Sequence, residues 1–232
     1  DLLINIAASP YHRGKASLRR RMLARYASRN RVPLLYCALV GGNDELVFDG
    51  ASMALDARGR LAARARSFEE DVVLWDSGAH LPPVPPEPLG TVEEVYRALL
   101  LGLRDYARKC GFKKAVLGLS GGIDSALVCA LAADALGAGQ VTGVSMPSMY
   151  SSPGSVSDAR TLARNLGVRM LSIPISRMYL EAKRGLCEGL GEASGAGARG
   201  PDLTDQNLQA RMRGIVLMGL SNKTGALLLA TG

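Results

Sequence analysis

Apolar runs alternate with Ala- and Leu-rich segments through the C-terminal half of the chain. Three apolar runs predict buried strands at residues 115–119, 140–146 and 168–173, and the closing residues 227–232 have the pattern of a strand end. The intervening segments predict helices at residues 126–136, 156–166 and 205–220. Strands and helices that alternate through short turns predict a doubly wound α/β fold, in which a parallel sheet carries helices on both faces.

The N-terminal part has shorter elements, and it starts inside an apolar run. Its patterns predict strands at 2–7 and 32–40, a helix at 17–29, and a short strand at 66–74. A hairpin with arms at 45–49 and 52–55 is predicted to turn at Asp49 and Gly50. Because so few elements rarely form a stable domain, we expect that further sequence precedes residue 1.

A Pro-rich segment lies between these two halves. Five of the residues between His80 and Gly90 are prolines, which are incompatible with a helix or a central strand and favour an extended linker. We therefore predict domains at 1–80 and 91–232, joined by a linker at 81–90. The second domain opens with a helix from Thr91 to about Cys110, and its predicted core face comprises Val92, Val95, Leu99, Leu103 and Tyr106. Residues 189–201, rich in Gly, Ala and Ser, predict either a lid or a plain linker.

The most informative motif follows the predicted strand at 115–119. Residues 120–125 are Ser-Gly-Gly-Ile-Asp-Ser, and they lead into a predicted helix. A Gly-rich turn before a helix N-terminus presents backbone N–H groups and a favourable helix dipole, so it predicts an anion site. Asp124 would repel a phosphate unless a Mg²⁺ ion lies between them. The motif lacks the lysine of a Walker A loop and the spacing of a dinucleotide fingerprint, and a turn without any ligand is the alternative.

Composition and charge narrow the range of functions. The net charge of +7 is spread along the chain, which disfavours a nucleic-acid binder. The densest basic cluster predicts a solvated face or an intersubunit surface, with RNA binding as the alternative, and it comprises Arg19, Arg20, Arg21, Arg25, Arg29 and Arg31. The four cysteines have neither metal-ligand spacing nor a disulfide framework, and no apolar run reaches the length of a membrane span. These features predict a cytoplasmic protein.

The motif at 120–125 resembles the pyrophosphate loop of the ATP pyrophosphatase superfamily. Further stretches resemble one of its families, the glutamine-dependent NAD synthetases, at residues 93–98, 102–106, 146–152, 207–213, 221–223 and 231–232. The first half resembles the C-terminal part of that family's nitrilase-like glutaminase, at residues 5–11 and 41–50. The resemblance implies a synthetase domain of the adenine nucleotide alpha-hydrolase-like, Rossmann-like type. It also implies that the C-terminal part of an α-β-β-α nitrilase-like domain precedes it.

This resemblance implies an activity. Nicotinic acid adenine dinucleotide would be amidated to NAD through an acyl-adenylate, with ATP as co-substrate, Mg²⁺ as cofactor, and release of AMP and pyrophosphate. The ammonia would come from glutamine hydrolysed in the other domain. The implied partners are these small molecules and further copies in a homo-oligomer, with no membrane and no nucleic acid. The rival hypotheses are a pyrophosphate-loop tRNA-modifying enzyme and a noncatalytic remnant.

The matching positions give the expected site residues. ATP or pyrophosphate contacts are expected at Ser120, Gly121, Gly122, Ile123, Asp124, Ser125, Met146, Ser151, Ser152, Arg211 and Thr231. The dinucleotide is expected at Asn207 and Asn222, glutamine at Ser9 and Lys15, and Mg²⁺ at Asp124. The alternatives are a helix-capping carboxylate for Asp124, turn-forming serines at 151 and 152, a structural ion pair for Arg211 and a solvated loop lysine at 15.

Several positions depart from the family pattern. The Glu, Lys and Cys of the glutaminase are expected before residue 1, and none of these catalytic residues is present in this chain. Cys37 lacks the Glu that follows the family's nucleophile, and we expect it in the core. Met149 stands where the family usually has Arg, so a phosphate contact is either lost or supplied elsewhere. An acidic metal-binding segment is expected beyond Gly232.

Overall fold

The chain divides into two compact units, Asp1–Lys109 and Cys110–Gly232. The computed structural model describes residues 1–77, 84, 90–191 and 202–230. This division leaves the helix Thr91–Lys109 in the first unit, whereas the sequence pattern predicts it in the second domain. Because most of the Pro-rich segment at 81–90 lies outside the described residues, the domain boundaries remain a prediction. None of the described helices is long and apolar enough to cross a membrane.

The first unit is built around a mixed sheet. Its described elements are β1 (Leu3–Ala7), α1 (Lys15–Asn30), β2 (Leu34–Ala38), β3 (Val40–Asn43), β4 (Leu46–Asp49), β5 (Met53–Leu55), β6 (Leu61–Arg64) and α2 (Thr91–Lys109). The sheet has the order β1-β2-β5-β6, in which β1 and β2 are parallel and the other pairs antiparallel. Leu23 and Ala27 of α1 pack on Leu34, Tyr36 and Leu55, which form the core on this face.

The predicted hairpin at Asp49 and Gly50 is wrong. β4 pairs with β3, and β5 pairs instead with β2 and β6. The turn of the observed hairpin lies at Asp44, whose φ is +50°. Gly50 and Ala51 have φ values of +63° and +53° and carry the chain from this hairpin into the larger sheet. A turn signal of this kind marks a change of direction without stating which strands it connects.

The predicted core face of α2 is also wrong. Val92 is 84% exposed and Leu99 is 50% exposed, whereas Leu101 and Asp105 are buried. The buried carboxylate of Asp105 accepts a hydrogen bond of 2.8 Å from the backbone N–H of Gly42. A polar residue therefore lies on the packed face of α2 because it has a specific hydrogen-bond partner there.

Two smaller expectations fail in the first unit. The strand predicted at 66–74 is absent from the described residues, and Phe68 interrupts it with a φ of +62°. Cys37 is exposed rather than buried in the core. Leu34 and Tyr36 point to α1, so the intervening side chains of β2 point to the opposite face of the sheet.

Arg19 does not belong to the solvated basic cluster. Its guanidinium is buried and donates two hydrogen bonds to the Asp49 carboxylate, at 2.8 and 3.1 Å. It also lies 5.3 Å from the centre of the Tyr36 ring. Arg20, Arg21 and the other arginines of the cluster are exposed. The cluster is therefore one residue smaller than the sequence indicates.

The second unit has the predicted parallel α/β architecture. Its described elements are β7 (Ala115–Gly118), α3 (Ile123–Leu136), a 3₁₀ helix (Ala138–Gln140), β8 (Val141–Ser145), α4 (Pro153–Leu166), β9 (Arg169–Ser172), α5 (Ser176–Leu190), α6 (Leu203–Thr224) and β10 (Leu227–Leu229). The sheet has the order β10-β7-β8-β9, and every neighbouring pair is parallel. The predicted strands are confirmed to within two residues at their described ends.

The helices of this unit are longer than predicted. α3 and α4 each begin three residues early, at Ile123 and Pro153. α6 begins at Leu203 because Asp202 and Asp205 form a capping box. α5 was not predicted, and its last residues overlap the Gly/Ala/Ser-rich segment. Residues 192–201 of that segment lie outside the described part of the chain.

Candidate nucleotide-binding site

Two loops meet at the carboxyl edge of the parallel sheet. β7 and β8 are paired in parallel, with Gly118 opposite Val144, so the loops that follow them leave the same edge. A cavity of about 740 Å³ lies there and is lined by both loops, by the end of β10 and by one face of α6. Its size is typical of small-molecule and cofactor sites. The predicted site residues Ser120, Met146, Ser151 and Ser152 all line it.

The loop after β7 is held in shape by its own hydroxyl groups. Ser125, which is buried, donates to the carbonyl oxygen of Gly122 at 3.0 Å and accepts the backbone N–H of Ser120 at 3.2 Å. The N–H of Gly122 donates to the Ser120 hydroxyl at 3.2 Å. Gly121 has a φ of +88°, and a Cβ atom there would lie 2.8 Å from the Cα of Ser155. Only glycine fits this backbone next to α4.

The loop delivers the chain into a helix N-terminus that has no side-chain cap. The N-cap residue of α3 is Gly122, which has no side-chain oxygen to accept the first-turn N–H groups. By contrast, the N-cap Ser152 of α4 accepts the N–H of Ser155 at 3.1 Å. The alternative that Asp124 caps α3 is wrong, because Asp124 lies two residues beyond the N-cap. An anion bound here would take the place of the missing cap.

The facing loop, residues 147–152, uses its serines for local structure. The Ser151 hydroxyl accepts the N–H of Ser148 at 2.9 Å, and Ser152 caps α4. The alternative of turn-forming serines is therefore confirmed for Ser151, whereas Ser152 is a helix cap. Both still line the cavity, so contact with a ligand remains a prediction.

One wall of the cavity is apolar. Val144, Met146, Leu217 and Leu228 line it, and all four belong to one core cluster. The Sδ-methyl group of Met146 lies so close to Gly118 that a Cβ atom at Gly118 would be 3.2 Å from it. The ring face of a nucleobase suits such a wall, since it gains contact area there while the polar edge of the ring stays free for other partners.

α6 brings an unpredicted arginine to the cavity. Arg213 lines it, and burial lowers the pKa of its guanidinium. The predicted Arg211 is exposed and is about 200° away from Arg213 around the helix axis. Asn207 and Asn222 are also exposed and do not line the cavity. Thr231, the remaining predicted contact, lies outside the described residues.

A buried polar network lies behind the facing loop. The Ser148 hydroxyl donates to the Gln209 amide oxygen at 2.7 Å, and the Gln209 amide nitrogen donates to the Asp205 carbonyl at 3.2 Å. The Asp205 carboxylate accepts Tyr179 at 2.6 Å and Lys183 at 2.8 Å. The hydrogen bonds to the Asp205 carboxylate lower its pKa, and the bond from Lys183 has the largest effect. The pKa of Tyr179 is raised, chiefly because this side chain is buried. The network fixes the loop to α6, and no motif in the sequence indicates it.

The two positions predicted for glutamine lie together in the first unit. Lys15 is the first residue of α1, and its ammonium group donates to the carbonyl oxygen of Pro10. Ser9 immediately precedes Pro10 and is half-buried. Lys15 is thus bound to the backbone of the predicted loop rather than free in solvent.

Known proteins resemble the chain over its full length. A sequence model of the NAD synthase family matches residues 95–232. Glutamine-dependent NAD(+) synthetases from Rhodobacter capsulatus and Thermotoga maritima are 49% and 44% identical over 100% of this chain and 42% and 45% of their own length. The chain spans less than half the length of these curated relatives.

A solved structure supports the fold of the whole chain. The glutamine-dependent NAD+ synthetase from Acinetobacter baumannii, in complex with ADP, has a TM-score of 0.89 and 39% identity. The similarity covers 100% of this chain and 44% of that one, which confirms the predicted fold class. Since the family match extends over more than half of the residues, this chain belongs to the NAD synthase family.

Proposed function

We propose that this chain takes part in the ATP-dependent amidation of nicotinic acid adenine dinucleotide to NAD. The observation that carries the proposal is the Ser-Gly-Gly-Ile-Asp-Ser loop, whose first residue, Ser120, lines a nucleotide-sized cavity and which leads into an uncapped helix N-terminus. The names of its relatives, the glutamine-dependent NAD(+) synthetases, support this reaction and glutamine as the source of ammonia.

The chemistry explains why ATP is needed. A carboxylate does not react with ammonia at neutral pH, so it must first gain a leaving group. An oxygen of the nicotinate carboxylate attacks the α-phosphorus of ATP, and the bond to pyrophosphate breaks. Ammonia then attacks the carbonyl carbon of the acyl-adenylate, the bond to AMP breaks, and a proton leaves the nitrogen. The protein orients the reactants and neutralises the charge on the leaving pyrophosphate.

The loop residues have defined parts in this proposal. Ser120, Gly122 and the first-turn N–H groups of α3 hold the pyrophosphate, and Ser125 keeps the loop in shape. Ser151 and Ser152 close over the phosphates from the facing loop. Met146 and the apolar wall hold the adenine ring. Because the hydroxyl bonds of the loop are already formed, little binding energy is spent on ordering it.

Asp124 suits a magnesium ion that arrives with the nucleotide. Mg²⁺ in such sites is held by one or two carboxylates together with phosphate oxygens. Asp124 is exposed in the first turn of α3. The described residues contain no group of three His, Cys, Asp or Glu side chains that would hold a metal alone. When bound, the ion would supply positive charge to the phosphates.

The exposed side of α6 suits the dinucleotide and a second copy of the chain. Asn207, Arg211 and Asn222 fall on one side of this helix and do not line the cavity, so we assign the dinucleotide to them. For Arg211 this assignment replaces the ATP contact expected from the sequence. Ile215 and Met218 share that side and are 60% and 50% exposed. A homo-oligomer that buries this surface is expected, and light scattering of the full-length protein would measure its mass. In the first unit, Ser9 and Lys15 are assigned to the carboxylate of glutamine.

The proposal is tested with the full-length protein that contains this chain. Supplied with ATP, Mg²⁺ and nicotinic acid adenine dinucleotide, it should form NAD and AMP in equal amounts, with either glutamine or ammonium as nitrogen source. Asp124→Asn should abolish most of this activity. Asp158→Asn, at an exposed position of α4, is the matched control and should retain it.

The nitrogen source separates the hypotheses. NAD from ammonium alone would mean that the glutaminase part is inactive. Absence of NAD from both sources, in a folded protein, would overturn the proposal and favour the tRNA-modifying or the noncatalytic alternative. Tight, salt-dependent RNA binding would distinguish the former from the latter.

A further inference from the structure

One face of α6 forms a wall of the cavity, and it carries one charged residue. Ala210, Arg213, Gly214 and Leu217 line the cavity from this helix, at the spacing of a single helical face. Among the described residues that line the cavity, Arg213 is the one with a formal charge. The others are small, apolar or hydroxyl-bearing. Among the described residues of the lining, this guanidinium is therefore the source of positive charge.

The positive charge of Arg213 is also not balanced by a described carboxylate. It is half-buried, and desolvation is the cause that lowers the pKa of its side chain. No described carboxylate forms an ion pair with it, in contrast to Arg19, whose buried guanidinium is matched by Asp49. A guanidinium remains protonated at neutral pH, so a half-buried one without a partner favours any anion that enters beside it.

We propose that Arg213 is a nucleotide-binding residue, which contacts the phosphates of ATP from the α6 wall of the cavity that Ser120 also lines. The inference deepens the proposed function and rests on it for the identity of the nucleotide. Arg213 supplies the fixed positive charge that the loop lacks, since the loop offers hydroxyl and N–H groups but no cation. Its planar group can donate two parallel hydrogen bonds to a phosphate, which a lysine cannot do.

The position of Arg213 favours phosphate over the other anion of the reaction, the nicotinate carboxylate. Arg213 shares the cavity with Ser120, Ser151 and Ser152. Arg211, by contrast, lies on the side of α6 that we assign to the dinucleotide. The two arginines, two residues apart, therefore serve different ligands.

The test compares nucleotides that differ in their phosphates. Binding of ATP, ADP and adenosine to the full-length protein is measured by calorimetry, for the wild type, Arg213→Gln and Arg213→Lys. Arg213→Gln should weaken the binding of ATP about 10- to 100-fold, which is the range expected for the loss of a hydrogen bond to a charged group. The affinity for adenosine should stay the same. Arg213→Lys should restore part of the loss. Arg160→Gln, at an exposed position of α4, is the matched control and should bind all three nucleotides as the wild type does.

The outcomes separate this inference from the proposed function. Equal weakening of ATP and adenosine would show that Arg213 only maintains the wall, and it would overturn the inference. Unchanged ATP binding by a folded Arg213→Gln variant would overturn it as well. Weakened dinucleotide binding with unchanged ATP would reassign Arg213 to the carboxylate. A wild type that binds ATP but makes no NAD would refute the proposed function alone, and one that binds no ATP would refute both.

Discussion

The backbone at Gly121 offers the sharpest test of the loop geometry. An alanine there must adopt a φ near +88° and place its Cβ atom against the backbone of Ser155. The left-handed conformation costs about 1–2 kcal/mol for a residue other than glycine. Relieving the overlap with a backbone that cannot rotate away costs about 1–3 kcal/mol more. We therefore expect Gly121→Ala to lower the free energy of unfolding of the second unit by about 2–5 kcal/mol.

The neighbouring glycine provides the matched control. Gly122 has a φ of −85°, and a Cβ atom there would lie 3.4 Å from the nearest atom, the hydroxyl oxygen of Ser120. Gly122→Ala should therefore change stability by less than about 1 kcal/mol, because the reduced freedom of the unfolded chain and the poorer N-cap residue act in opposite directions. Urea denaturation measures the stability of both variants. Hydrogen exchange of the β7 and β8 amides shows whether the change lies in this unit. Equal stability of the two variants would refute the reasoning.

Three further changes have expected outcomes. Asp49→Ala leaves the buried Arg19 unpaired and should cost about 3–5 kcal/mol in thermal unfolding. The double variant Arg19→Met, Asp49→Leu should recover most of that loss, and no recovery would contradict a charge-pairing cause. The hydrogen bond from Lys183 lowers the pKa of Asp205. The stabilisation that the Asp205 carboxylate provides is therefore complete above about pH 4 and is lost as the pH falls through the folded pKa. Asp205→Asn should flatten that acidic slope in pH-dependent denaturation, and an unchanged slope would exclude Asp205 as its source. Met149→Arg places a cation on the loop beside the cavity and should tighten ATP binding about two- to five-fold at low salt, as expected for an exposed charge. The same gain at high salt would contradict that cause.

Apart from α5, the elements of the second unit could be predicted from the sequence because their signals are local. Each strand is a short apolar run, each helix follows directly, and the order of the elements determines a parallel sheet. The first unit has no such repetition. Asp49 and Gly50 predict a hairpin turn, but Asp49 ends strand β4, and β5 finds its partners in β2 and β6 because strand pairing depends on which edge is free. Pairing of this kind is a long-range property that a short window does not contain.

The packed face of α2 shows a second limit. Hydrophobic periodicity selected Val92 and Leu99, but the helix buries the face that carries Asp105. The carboxylate is accommodated because the N–H of Gly42 points at it from β3, and Lys109 donates to the carbonyl oxygen of Gly42 at 2.6 Å. A helix with apolar residues on more than one side has no unique face until such a polar pairing selects one.

The site separates into a part that a motif encodes and a part that only the fold assembles. Ser120 to Ser125 are contiguous, so the strand, turn and helix that create the anion site are visible in one window. Arg213 lies 88 residues beyond Ser125, and its neighbour Arg211 fits the family pattern equally well. Helical geometry decides between the two, because two residues turn a side chain by about 200°. The same geometry places Arg211 and Arg213 on different sides of α6, which we propose contact the dinucleotide and ATP respectively. Because Gln209, one turn before Arg213, accepts a hydrogen bond from Ser148 of the facing loop, α6 is tied to the loop that borders the same cavity.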